Sequence, residues 1–212
     1  MRAVAHVSVA RAEVRGRRLG RHAARVLAGG SACAVASARG WPRLFAPCLE
    51  VSLDGFAACI GERCGSPEER LEKALEAARE ALAAYLDRLV ERVLPDVALT
   101  AFVLGDGALH AARVGGGRVY MHRRGKTARL TPRGEPGGGL LTAPIERSDT
   151  NLRSGDLILA GSSSAFSANA VEAAAEAVAR DPSVPPSVLA NMLTTPAADA
   201  AIGAVALVAR VR

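Results

Sequence analysis

The sequence predicts an α+β fold, an antiparallel sheet with helices packed on its faces. Three observations carry this expectation. The first is the stretch Val97–Thr131, where β-type runs at Val97–Leu104, Ala108–Val114 and Arg118–His122, and a fourth at Thr127–Thr131, follow one another as a meander. Glycine-rich breaks separate them, and Asp106-Gly107 between apolar runs is a strong hairpin signal because both turn residues must take positive φ. The second is a well-marked helix at residues 66–94. The third is the order of elements: strands, long helix, meander, helices, strand.

Taken in order, residues 4–14 alternate apolar and polar and read as a strand. Val14–Gly20 is a basic, glycine-punctuated turn. Residues 21–38 carry no decisive pattern. Ala32–Ala38 is a candidate strand there, with Gly29-Gly30 as the turn before it. Leu44–Leu53 reads as another strand, ending at Asp54-Gly55.

The helix that follows starts at Ser66, a good N-cap, with Pro67 at the first helical position and Glu69 three residues after the cap. Leu71, Leu75, Ala78, Leu82, Leu86, Leu89 and Val93 form one apolar stripe, and Pro95 stops it. About 28 residues at 1.5 Å each give a rod of roughly 40 Å, which needs a broad sheet to lie on.

Beyond the meander, Pro132–Asn151 is rich in glycine and proline and reads as a loop, with a short strand at Leu140–Ile145. Gly155-Asp156 is a turn and Leu157–Ala160 a buried strand. Ser162–Ser164 is a loop, lacking the strand–turn–helix setting of a nucleophile elbow. Residues 168–180 are alanine-rich and helical. Pro185-Pro186 open a second helix to Leu193, and Ala201–Val211 is the last strand.

Composition narrows the function. The chain has 212 residues, enough for one domain with a full core. No apolar run reaches the roughly 18–20 residues of a membrane span. The N-terminus has no continuous apolar segment of the signal-peptide type, so a cytoplasmic location is expected.

Of the net charge of +6, residues 1–50 supply +7, from nine arginines against Glu13 and Glu50. A basic end suits an anionic partner. Nucleic acid is not expected, because aromatics are only 3% and none is interleaved with the arginines for base stacking. Cys33, Cys48, Cys59 and Cys64 lack the paired spacing of a zinc site and read as buried thiols.

In order along the chain, several fragments resemble one family, the PPM-type metal-dependent serine/threonine protein phosphatases. Asp54-Gly55-Phe56-Ala57-Ala58-Cys59, then Gly61-Glu62 and the helix, is similar to its Asp-Gly-Met-Gly-Gly-His segment. Val114–Met121, then Gly125 and Leu130-Thr131, is similar to its Gly-Asp-Ser-Arg strand pair. Gly155–Ser164 is similar to its strand ending in Ser-Asp-Gly. Asp199-Ala200 falls near its closing Asp-Asn. The resemblance covers roughly residues 4–210. It implies one domain over 1–212: two antiparallel sheets packed as a central sandwich, flanked by helices.

The resemblance also implies a cleft at one end of the sandwich where aspartates hold two or three Mg²⁺ or Mn²⁺ ions, because hard cations need anionic oxygen. Carried over residue by residue, Asp54, with the Gly55 carbonyl beside it, and Asp199 are the retained metal-site candidates. Gly116 and Ser163 stand where the family has aspartates, and Cys59 near its histidine. The early Asn-Glu-Asp has no counterpart, since no acidic residue lies between Glu13 and Glu50. Arg18 or Arg21 would take the place of the phosphate-binding arginine. The segment from Thr131 to Gly155 is short for a substrate-binding flap.

The expectation is therefore a pseudophosphatase: fold kept, metal site lost, no cofactor, and a regulatory or scaffolding role toward a protein partner or phosphoprotein. The alternative is a divergent active phosphatase with a weakly bound Mg²⁺ or Mn²⁺, its site completed from Glu50, Glu62, Asp106 or Asp149. An unrelated α+β binding domain is the third possibility, and strand order decides against or for it.

Overall fold

The computed structural model describes residues 7–16, 21–40, 42–61, 65–90, 95–134 and 137–212. The chain opens with strands β1 (Val7–Val14), β2 (His22–Leu27) and β3 (Ala32–Arg39). Two helices follow, α1 (Phe45–Ile60) and α2 (Pro67–Leu86). Strands β4 (Asp96–Gly105), β5 (Ala108–Val114), β6 (Arg118–Arg123), β7 (Lys126–Arg129), β8 (Ile145–Asn151) and β9 (Leu157–Gly161) come next. Helices α3 (Ala168–Arg180) and α4 (Pro186–Asp199) lead into β10 (Ala204–Val211).

The strands form two five-stranded antiparallel sheets, β1-β10-β9-β6-β7 and β2-β3-β4-β5-β8. The two inner faces meet in one core layer, with Val35, Phe102 and Leu109 from one sheet and Ile158, Val205 and Leu207 from the other. Helices α1 and α2 cover the outer face of the second sheet through Leu53, Phe56, Leu75 and Leu82. Helices α3 and α4 cover the first through Ala170, Leu189 and Leu193. The layers are thus α-β-β-α, the sandwich that the resemblance implies.

The Ser66 cap is present: its hydroxyl accepts from the Glu69 N–H at 3.2 Å, and Glu69 accepts from the Ser66 N–H at 2.9 Å. The helix ends at Leu86, earlier than the apolar stripe suggests. Bonds from Arg88 N to Tyr85 O and from Leu89 N to Leu86 O tighten the chain into a turn, which still folds Leu89 back onto the core. Val93 lies outside the described residues.

The meander is two hairpins in different sheets. β4-β5 belongs to one and β6-β7 to the other, and Gly115–Gly117 carries the chain across between them. Gly117, at φ 126°, makes that crossing possible, because a Cβ there would lie 2.0 Å from Thr100 Oγ1.

Leu44–Leu53 is helix, not strand. Cys48, Leu49, Ser52, Leu53, Phe56 and Ile60 are the buried positions of α1, and their spacing of three and four is a helical face. The Asp54-Gly55 pair sits inside this helix. Gly55 is there because α1 and α2 cross closely: a Cβ would lie 2.8 Å from both Ala77 O and Ala81 Cβ.

Strand β8 lies in the stretch that reads as loop, with a turn where a strand is expected at 140–143. It is an edge strand with alternating polar residues, so it carries no apolar signal. α4 runs past Leu193 through Pro196 to Asp199, and Thr194 and Thr195 bond back to the Ala190 and Asn191 carbonyls. Among the described residues no helix is long and apolar enough to cross a membrane.

Candidate functional site

One end of the sandwich gathers small residues and backbone. Gly16, just past β1, presses on the start of β10; a Cβ there would lie 2.0 Å from Gly203 N. Ser162, after β9, accepts from Val205 N at 3.1 Å, and Ser164 donates to Gly203 O at 2.7 Å. The Gly115–Gly117 crossing reaches the end of β9, with Gly161 O 3.4 Å from a Cβ built on Gly117. From the other sheet, His22 opens β2 directly opposite Ser37 of β3. Its Nδ1 lies 2.8 Å from Ser37 Oγ, and its ring bonds the Gly203 backbone. Burial pushes His22 down to about 4 from an ordinary 6.5, so the imidazole is neutral at pH 7.

Beside this mouth opens a cleft of about 630 Å³. Its β1 wall is charged, with Arg11, Glu13 and Arg15; its α1 wall is mostly apolar, with Phe45, Leu49 and Leu53 beside Glu50. Arg21 and His22 stand at the end of β2. Arg21 is exposed. Arg18 lies outside the described residues.

The sequence-expected metal residues do not converge here. Asp54 is 64% exposed on α1 and ion-paired with Arg25 of β2, whose guanidinium also bonds Glu50 at 2.9 Å. Gly55 is packed against α2, its carbonyl within the helical ladder, and Cys59 is in the last turn of the same helix. Asp199 is the exposed last residue of α4. The strand that runs into the helical pair is β3, and its end reads Ser37-Ala38-Arg39-Gly40, without a carboxylate.

Gly116 and Ser163 do fall at the mouth. Gly116 is buried and its carbonyl accepts from Thr100 Oγ1 at 3.3 Å. Ser163 begins a short 3₁₀ turn between the two bonded serines.

The remaining acidic candidates have other roles. Asp106 forms the β4-β5 turn at φ 53°. Asp149 pairs with His110 at 2.8 Å across β5 and β8. Glu62 lies outside the described residues. Among the described residues no three His, Cys, Asp or Glu side chains gather where a metal could be held. A dinuclear site needs several carboxylates to offset two dications, and this donor set does not fit one. Cys33 and Cys48 are buried thiols, pushed up by burial to about 12 and about 11.

His22, Ser37 and Arg11 carried no signal in the sequence. His22 lies in the unassigned stretch, and only the β2-β3 register brings it to Ser37.

No family model matches the chain, and no curated protein sequence does. Solved structures do. The serine/threonine phosphatase PstP/Ppp of Mycobacterium tuberculosis is similar at 19% identity and a TM-score of 0.80, over 97% of this chain and 99% of that one. PppA, a regulatory component of the type VI secretion system in Pseudomonas aeruginosa, is similar at 14% identity and 0.81, over 99% of each. The PstP catalytic domain in complex with two manganese ions is similar at 22% identity and 0.78, over 97% of this chain and 98% of that one. The chain has the fold of the PPM-type Ser/Thr phosphatases.

Proposed function

We propose that the chain is a pseudophosphatase: a PPM-fold module that binds no catalytic metal and serves as a regulatory or scaffolding partner of a cytoplasmic protein or phosphoprotein. The observation that carries this reading is the chemistry of the cleft end. The similar PstP domain is in complex with two manganese ions, whereas the cleft end of this chain presents serine, glycine, a neutral histidine and arginines, with Glu13 and Glu50 its lining carboxylates among the described residues and Glu50 bonded to Arg25. Of the two aspartates that the family resemblance keeps as metal-site candidates, Asp54 is tied to Arg25 on the side of a helix and Asp199 is exposed at the end of α4.

Arginines without a metal still attract anions, and Arg15 and Arg21 have no ion pair among the described residues. They are the groups toward which a phosphate or carboxylate of the partner would be drawn.

The test is calorimetric titration with Mn²⁺ and Mg²⁺, with turnover of p-nitrophenyl phosphate and a phosphopeptide measured alongside. The expected result is no metal binding up to about a millimolar and no turnover, against the micromolar affinities of carboxylate-rich sites. Micromolar binding with metal-dependent turnover would overturn the proposal and make the chain a divergent phosphatase.

A further inference from the structure

We propose that the free edge of β2 accepts an extended, acidic segment of a partner protein as an added strand. This rests on the reading of the cleft as a binding site and names how the partner enters it.

Among the described residues β2 is the edge of its sheet and pairs only with β3. The bond from Ala38 N to Arg21 O sets the parity of that ladder. Residues 21, 23, 25 and 27 turn their backbone groups toward β3, while His22, Ala24 and Val26 turn theirs outward. The one bond made to that outer edge among the described residues comes from a side chain: Arg11 Nη1 donates to Ala24 O at 2.8 Å. Val26, on the same edge, is an exposed apolar residue, 43% accessible.

The cleft lies where a sixth strand of this sheet would lie. β1 of the opposite sheet forms its upper wall and α1 its lower one. A strand alternates its side chains between two faces. One added beside β2 would send every other side chain against Phe45 and Leu49, and the rest against Arg11, Glu13 and Arg15, where the two arginines outnumber the one carboxylate. The pattern selected is apolar alternating with acidic. His22 to Val26 spans about 13 Å at 3.3 Å per residue, enough to hold a short strand by main-chain bonds.

Arg11 acts as a plug. Its guanidinium holds the Ala24 carbonyl in the free protein, and an incoming N–H replaces it there. The released guanidinium then meets an acidic side chain of the ligand, which offsets the lost bond.

The probe is an acetylated, amidated heptapeptide alternating valine and glutamate, titrated by fluorescence anisotropy in EDTA, with amide hydrogen exchange read residue by residue. The expected result is saturable binding that protects the Ala24 and Val26 amides. Methylating alternate peptide nitrogens on the pairing side should abolish it. Ala24→Pro removes one outward N–H and no β2-β3 bond, as edge strands tolerate, and should weaken binding at least about tenfold.

Arg15→Glu with Arg21→Glu should cost a similar factor and transfer binding to a second heptapeptide alternating valine and lysine, which keeps the test decisive if the proline variant misfolds. No protection at Ala24 and Val26, or binding insensitive to N-methylation, overturns strand addition. Metal-dependent turnover with protection intact would overturn the pseudophosphatase reading alone.

Discussion

His22 and Ser37 face each other across the β2-β3 ladder, with Nδ1 and Oγ 2.8 Å apart, and the same imidazole bonds the Gly203 backbone of the opposite sheet. One neutral side chain thus ties the two sheets together at the mouth of the sandwich. Proteins that use such a mouth for divalent cations need carboxylates there, and this pair offers none.

The tie has a pH signature. His22 is held at about 4 in the folded protein against 6.5 ordinarily, so between those values the unfolded chain binds more protons. Its contribution favours folding above pH 6.5 and is lost as pH falls toward 4, by up to roughly 3 kcal/mol at about 1.4 kcal/mol per unit. Urea unfolding of wild type and His22→Gln across pH 4–7 should show a shallower fall in the variant. Parallel curves would mean that His22 titrates freely.

Asp54→Ala should leave the response to Mn²⁺ unchanged and cost no more than about 1 kcal/mol, the ordinary worth of an exposed ion pair. Calorimetry and denaturant midpoints read both. Loss of a measurable Mn²⁺ affinity would return Asp54 to the role of ligand.

Gly55→Ala would stabilise an isolated helix by about 1 kcal/mol. Here the added methyl meets Ala77 O and Ala81 Cβ at 2.8 Å, so a loss of about 1–3 kcal/mol is expected from forcing α1 off α2. A raised denaturation midpoint would show that the helices part at no cost.

Ser66→Ala should cost about 1 kcal/mol through the lost cap of α2, without touching the cleft. The same thermal or urea melts measure it, and peptide binding to the cleft should be unaffected.

Local signals made much of the fold legible. The Ser66–Glu69 box marked α2, and the Asp106-Gly107 turn marked β4-β5. The ordered fragments that resemble the phosphatases pointed to a two-sheet sandwich, and the strand order bears that out. Leu44–Leu53 reads as a strand because a run rich in Leu, Val and Phe suits a buried strand as well as a buried helix, and the Asp-Gly pair that follows looks like a turn. β8 was hidden for the opposite reason, since an edge strand with solvent on one side carries too few apolar residues to stand out.

By itself, then, the sequence determined which stretches are apolar, where α2 begins, and that carboxylates are missing between Glu13 and Glu50. Those are properties of composition and of contacts within one turn or hairpin. Only the tertiary structure decided that Asp54 sits on a helix flank beside Arg25, that His22 meets Ser37, and that, among the described residues, β2 is an edge strand beside β1. Each of these joins residues distant along the chain, and a strand register displaced by one residue would send every side chain to the other face and undo them.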